Sequence, residues 1–329
     1  MIECFSDTNW LNPQINFLLF LQNLRICHFN MFNDLFLSIT IVGEFWLPTV
    51  VCAIVYWCMD MKSGVYLFSL LAFNMFFAHL FKMLACVYRP WVLSDKIHPV
   101  DKALTLAAGY SFPSGHSAQS SAFLGGLAFL QQKRMWLVIL LISLVFLVGF
   151  SRMWLGVHTP QDVIIGFLIG FSLVFIINNL INWAEQNKNR YLYLLGLINI
   201  TIIGTLIYLC YFNSYPVDYV NGKILVDSRH SLQVTIFCYG CIAGILSGVF
   251  LCRKYFQFNM DLDLKTKIWK GLTGSFFVII LFKLVTKYIF CNACDFKMVY
   301  LLSFLGGFFI TAIYPVVFEL LHRVLIKSR

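Results

Sequence analysis

Three short polar stretches stand out in a chain that is otherwise apolar. They are Lys82-Met-Leu-Ala-Cys-Val-Tyr-Arg89-Pro90, Pro113-Ser114-Gly115-His116, and Ser151-Arg152-Met-Trp-Leu-Gly-Val-His158-Thr-Pro-Gln-Asp162. Together they supply the cations Lys82, Arg89 and Arg152, the imidazoles of His116 and His158, the carboxylate of Asp162 and a Ser-Gly turn. That inventory describes a pocket for a phosphate. Cations neutralise phosphoryl oxygens, Ser114 and the Gly115 N–H add donors, and phosphoryl transfer mainly demands positioning and charge stabilisation. His158 and Asp162 lie four residues apart, roughly one helical turn. Asp162 can therefore accept the proton on one ring nitrogen and leave the other free to attack. The stretches offer neither several carboxylates for magnesium nor a His/Cys set for zinc. The expectation is chemistry without metal or cofactor, carried by a histidine nucleophile.

The elements that must position these groups also leave marks. Lys82 and Arg89 are seven apart, which predicts two turns of one helix, with both cations on one face and Pro90 ending the helix. Pro113-Ser114-Gly115 predicts a turn into a helix whose N-terminus, with its unpaired N–H groups and positive dipole end, suits a phosphate. Thr159-Pro160 predicts the start of another helix, proline being favoured in the first turn. Gly166 and Gly170 continue the spacing of four and predict close packing of that helix on a neighbour. A single histidine or charge at a membrane boundary is ordinarily a hydrogen-bonding or snorkelling anchor. His28, His79, His98, His230, His322 and Glu44 take that reading, whereas co-location sets His116 and His158 apart.

Composition says what surrounds such a pocket. Of 329 residues, 60% are hydrophobic and only 12% charged, against roughly 25% charged in a soluble domain. Water alone cannot solvate this surface, and the expected fold is an all-α polytopic transmembrane helix bundle. Apolar runs at 45–60, 64–88, 116–132, 135–151, 160–184, 191–212, 231–252, 270–290 and 298–322 give about nine spans, the first and third being short. Residues 10–25 read as an amphipathic helix in the interface, with a further crossing through 29–43 as the alternative. The chain accordingly divides into an N-terminal interfacial segment (1–43), a core carrying the three stretches (44–188) and an additional C-terminal membrane module (189–329). The first dozen residues lack a basic start before an apolar core, so no cleavable leader is expected.

The formal charge of +9 comes from dispersed residues without a dense basic tract, which argues for charge placement at a bilayer and against a nucleic-acid partner. Lys62, Lys133, Arg134, Lys188, Arg190, Arg253, Lys254, Lys265, Lys267, Lys270, Arg323, Lys327 and Arg329 fall on one side. By the positive-inside tendency that side, with the C-terminus, is cytoplasmic, and the Pro-Ser-Gly-His turn faces the periplasm, cell surface or a lumen. Cys52, Cys58, Cys238 and Cys241, within apolar runs, are expected to pack as buried free thiols. Cys291 and Cys294 sit in a short loop, where either a disulfide or two thiols fits.

The order Lys-x6-Arg-Pro, Pro-Ser-Gly-His, Ser-Arg-x5-His-x3-Asp resembles the tripartite signature of the type 2 phosphatidic acid phosphatase superfamily, whose helical core is shared with vanadium haloperoxidases and bacterial acid phosphatases. The match covers roughly residues 40–185 and departs from the pattern at no catalytic position. The resemblance implies that His158 attacks phosphorus to form a phosphohistidine. Asp162 would orient it, and His116 would protonate the leaving oxygen and then activate water. Lys82, Arg89, Ser114, Gly115 and Arg152 would hold the phosphoryl oxygens. A membrane-embedded chain favours an amphiphilic substrate, a lipid phosphate or polyprenyl diphosphate. A lipid phosphotransferase and a sugar-phosphate phosphatase use the same residues, and a transporter or scaffold with a vestigial motif is the reading outside enzymology.

Overall fold

The structure, a computed structural model, describes residues 8–27, 30–104, 107, 109–216, 219–220, 223–224, 226–256, 258, 260–291 and 295–327. Among them the α-helices are α1 (Thr8–Cys27), α2 (Asn33–Thr40), α3 (Trp46–Ile54), α4 (Met61–Ala85), α5 (Pro90–Leu93), α6 (Asp101–Leu104) and α7 (Gly115–Leu130). They continue as α8 (Met135–Trp154), α9 (Pro160–Glu185), α10 (Lys188–Ile207), α11 (Ser228–Tyr255), α12 (Leu264–Cys291), α13 (Phe296–Phe308) and α14 (Tyr314–Lys327). The strands Tyr219–Val220 and Lys223–Ile224 form one small antiparallel pair. The chain is thus the expected all-α membrane protein.

Seven helices are long and apolar enough to cross a bilayer, or eight if Asn33–Gly43 and Trp46–Met59, bent by 51°, form one span. The sequence predicted about nine, and the difference lies at 116–132. There α7 has only 16 residues, about 24 Å at 1.5 Å per residue, short of a hydrocarbon core of about 30 Å. It buries Ser117, Gln119, Ser120 and Ser121, so its surroundings are protein.

The chain separates into two compact units. One gathers residues 1–44, 77–172 and 213–231; the other gathers 45–76, 173–212 and 232–329.

In the first unit, Leu21, Ala103, Ala107, Trp154, Leu155 and Val157 form a buried apolar cluster, each large side chain contributing about 1.5–3 kcal/mol on burial. The residues that interrupt the apolar pattern of α1 tie it to neighbouring loops. Arg25 donates to the carbonyls of Trp154 (2.7 Å) and His98 (2.5 Å). Gln22 donates to Lys96 O and accepts from the His98 N–H. A buried carbonyl needs a donor, and these polar side chains are the donors, so α1 is anchored by the very positions that read as its polar face. Gly166 and Gly170 sit where the sequence places a packing stripe. A Cβ at Gly166 would lie 2.8 Å from Ser114 O and 3.0 Å from Ser117 Cβ, and one at Gly170 would collide with Ser121 and Ala118. Close approach of α9 to α7 at these two positions brings Asp162 to the start of α7.

In the second unit, two wide-turn segments meet, Val55–Met59 and Phe309–Ile313. Such turns leave carbonyls without their usual helical partners. Tyr56 OH donates to Thr311 O at 3.2 Å and Trp57 Nε1 to Ile310 O at 3.0 Å. Cys52, Cys58, Cys238 and Cys241 are buried free thiols, as expected. The Cys291–Cys294 pairing and His28 lie outside the described residues.

Candidate active site

The first stretch is built differently from its spacing. α4 stops at Ala85, where Cys86 adopts φ +49°, a left-handed conformation uncommon outside glycine, and its N–H returns to Lys82 O at 3.2 Å. Residues 86–89 leave the helix, Arg89 is extended (ψ 155°), and Pro90 begins α5. The expectation of one helix face bearing both cations is therefore wrong. A residue before proline is pushed out of the helical region, and here the chain has already left it at Cys86. The two cations still meet the other stretches. Lys82 Nζ donates to Tyr110 O (2.9 Å), while Arg89 donates to Gly109 O from Nε (3.1 Å) and to Val157 O from Nη1 (3.0 Å).

The second stretch forms a capped helix start. Ser114 caps α7: its Oγ accepts from the Ser117 N–H (3.4 Å) and the Ser117 hydroxyl (2.8 Å), while its own N–H donates to Asp162 O at 2.9 Å. Ala118 N–H also returns to Ser114 O, whereas those of Gly115 and His116 find no acceptor among the described residues. The space a Cβ would occupy at Gly115 is open, with no atom within 4 Å. A phosphate oxygen can approach the backbone there, at the positive end of the α7 dipole. The far side of His116 is closed by Gly43, where a Cβ would sit 2.8 Å from His116 O.

The third stretch delivers His158 from the turn between α8 and α9. The ring is buried, 1% exposed, with Arg89 Nη1 at 2.8 Å from its Nε2. Guanidinium nitrogens only donate, so Nε2 holds the lone pair and Nδ1 holds the proton. Nδ1 faces Asp162 Oδ2 and Ser111 Oγ, each at 3.4 Å. Asp162 Oδ2 is fixed by the Ser111 hydroxyl (2.6 Å) and the Thr159 N–H (2.9 Å). Burial, and after it the positive charges of Arg89, Arg152 and Lys82, hold the His158 imidazole well below its ordinary range, so the ring is neutral and its Nε2 lone pair available. Since protonation removes that lone pair, activity is lost only as pH falls through the depressed value. The acid half-point of kcat/KM is expected below about 6.5, the ordinary histidine value; a half-point at or above it contradicts this environment.

Arg152 is completely buried. Its Nη1 donates to Thr40 Oγ1 at 2.9 Å, and its Nε and Nη2 meet no acceptor among the described residues. A buried donor left unmatched costs about 1–3 kcal/mol. His116 Nε2 is likewise buried without a partner among the described residues. Lys82, Arg89 and Arg152 act electrostatically on both imidazoles, and His158 acts on His116. The structure thus brings Lys82, Arg89, Ser114, Gly115, His116, Arg152, His158 and Asp162 into one unit around one cationic space.

Three contributors escaped sequence reasoning. Ser111 holds Asp162, Thr40 holds Arg152, and the Glu44 carboxylate exerts an attraction on Arg152, beyond the anchor role expected of it. Thr40 and Glu44 lie in an apolar segment with no local motif. Ser111 stood one residue before Phe112-Pro113, close enough to the turn to have been weighed. Ser111→Ala is expected to lower kcat about tenfold, the value of one buried hydrogen bond to a charged group, with KM within twofold. Steady-state kinetics checks this, and an unchanged kcat removes Ser111 from the site.

A family model described as the PAP2 superfamily matches residues 63–186, and a second, described as the PAP2 superfamily phosphatase transmembrane extension, matches residues 236–324. Phosphatidylglycerophosphatase B of Bacillus subtilis (strain 168) is 31% identical over 104 residues, 29% of this chain and 50% of that protein. An undecaprenyl-diphosphatase of Sulfolobus acidocaldarius is 42% identical over 67 residues, 20% of this chain and 32% of that protein. The chain therefore spans half or less of these curated relatives. A crystal structure of a transmembrane PAP2-type phosphatidylglycerolphosphate phosphatase from Bacillus subtilis aligns with TM-score 0.45 and 22% identity, over 54% of this chain and 90% of that one. The two family models take in the three polar stretches and the C-terminal helices alike, and the chain belongs to the PAP2 superfamily.

Proposed function

We propose that this protein is an integral membrane phosphatase that hydrolyses a lipid phosphate or polyprenyl diphosphate through a phosphohistidine, without a metal ion. The observation that carries this reading is the pairing of Arg89 Nη1 with His158 Nε2 at 2.8 Å. It puts the nucleophile's lone pair against a phosphate-binding cation. An arriving phosphoryl group draws Arg89 onto its oxygens and takes its place before Nε2. A bond then forms between Nε2 and phosphorus as the bond to the leaving oxygen breaks, and Asp162 Oδ2 steadies the proton on Nδ1 as the ring becomes cationic. The charge of the bound phosphoryl group offsets Lys82, Arg89 and Arg152, which lets His116 carry the proton it gives to the leaving oxygen. In the second half His116 takes a proton from water, oxygen joins phosphorus, and the bond to Nε2 breaks.

Several lines support the parts of this reading. The positive charge that a metal ion supplies in other phosphoryl-transfer sites is here supplied by three side chains, and Asp162 Oδ2 is already engaged by Ser111 and Thr159. The curated relatives are a phosphatidylglycerophosphatase and an undecaprenyl-diphosphatase, which favours a lipid-borne phosphate. The Lys and Arg bias favours a site on the non-cytoplasmic side.

The test is phosphate release by the purified protein from phosphatidate, phosphatidylglycerol phosphate, undecaprenyl diphosphate, a sphingoid phosphate and glucose 6-phosphate, with and without excess EDTA. A lipid substrate is expected to be turned over best, with EDTA changing the rate less than twofold. Loss of activity restored by magnesium contradicts the metal-free mechanism. Accumulation of a phosphorylated acceptor in place of free phosphate makes the protein a transferase. In right-side-out vesicles added short-chain substrate is expected to be hydrolysed without permeabilisation; a need for permeabilisation reverses the sidedness.

A further inference from the structure

The second unit holds a further charged cluster that shares no residue with the candidate active site. Arg253 and Lys254, at the end of α11, line a cavity of about 560 Å³ together with Phe258, Glu319 and Arg323. Arg253 is steadied by Tyr191 OH (2.8 Å) and Glu185 (3.3 Å). Glu319 is the acid that lines the cavity, and its side chain is only 9% exposed. Its Oε1 accepts from Arg323 Nε at 3.1 Å, and its Oε2 is buried and meets no donor among the described residues. Lys270 of α12 is completely buried and holds its ammonium over the rings of Phe258 (5.6 Å) and Phe318 (5.5 Å), with no acceptor for its Nζ among the described residues. Ionisable groups inside a membrane protein are costly and mark function by default.

The charges that line the cavity and the unmatched Glu319 Oε2 define a ligand. Lys254, Arg253 and Arg323 suit a phosphate, whereas Glu319 Oε2 repels a bare anion and accepts only from a hydroxyl or ammonium. One molecule meets both demands when it carries a phosphate and, a few bonds away, a hydrogen-bond donor. We propose that this cavity binds a phosphoglycerol-type headgroup, with its phosphate against Lys254, Arg253 and Arg323 and a hydroxyl donating to Glu319 Oε2. Phosphocholine carries the same phosphate but no donor, and it is the discriminating comparison. The headgroup belongs either to a membrane lipid or to a soluble glycerol phosphate.

The experiment follows thermal unfolding of the purified full-length protein in a detergent free of phospholipid. Short-chain phosphatidylglycerol, short-chain phosphatidylcholine and glycerol 3-phosphate are titrated separately. Phosphatidylglycerol is expected to raise the midpoint saturably and phosphatidylcholine to leave it unmoved. Lys254→Gln with Arg323→Gln, both at exposed side chains, should remove the shift; Glu319→Gln tests the donor contact separately and should narrow the gap between the two lipids. An equal shift from glycerol 3-phosphate keeps the site and assigns its ligand to the soluble pool. Equal stabilisation by phosphatidylcholine, or a shift that survives Lys254→Gln with Arg323→Gln, overturns the proposal.

Discussion

His158→Ala is expected to lower kcat at least about a thousandfold while phosphate affinity changes only a few-fold. The size follows from removing the atom that bonds to phosphorus, a loss that no neighbour repairs; single knock-outs of comparable nucleophiles cost more than this. In the proposed mechanism binding persists because the charges that would hold phosphate are those of Lys82, Arg89 and Arg152, each positioned by contacts other than the imidazole. Lys82 bonds to Tyr110 O, Arg152 to Thr40, and Arg89 keeps the carbonyls of Gly109 and Val157. Phosphate release and inhibition by inorganic phosphate, measured on the same preparation, separate the two effects. Activity within tenfold of wild type contradicts the nucleophile assignment.

His116→Ala is expected to cost about 10²–10⁴ in kcat with a lipid alkoxide leaving group, the range for a general acid. With a phenolic leaving group, which departs without a proton, the first step should lose far less. The second step still needs a base for water, so phosphoenzyme should accumulate in this variant. A burst of one phenol per enzyme followed by slow turnover is the expected trace. An equal loss on both substrates with no burst contradicts the acid–base role. The geometry behind this is the placement of His116 in the first turn of α7, closed behind by Gly43 and opened in front by Gly115.

Much of this site was legible because its chemistry is written in adjacent residues. Pro113-Ser114-Gly115-His116 does start α7, Thr159-Pro160 does start α9, and His158 does reach Asp162 across four residues. The all-helical membrane fold followed from composition alone. What the sequence concealed were features set by tertiary structure. Lys82 and Arg89 share a spacing that suits one helix face, yet Cys86 turns the chain out of the helix, a conformation that no glycine advertises. Residues 116–132 have the apolarity of a span, but α7 is too short and buries serines against other helices. Thr40 and Glu44 act on Arg152 from a segment 108–112 residues upstream, and no periodicity within 33–44 reports a partner so distant. Gln22 and Arg25 looked like the wet face of an interfacial helix because pattern alone cannot tell water from a backbone carbonyl as hydrogen-bond partner.

The most direct measurement is acid-free quenching of the His116→Ala variant during turnover of the substrate with a phenolic leaving group, followed by peptide mass spectrometry for phosphohistidine. A phosphoryl group on His158 alone, absent in the His116→Ala/His158→Ala double variant, is the predicted result. Phosphate on another residue, or water attacking in a single step with inversion at phosphorus, would contradict it.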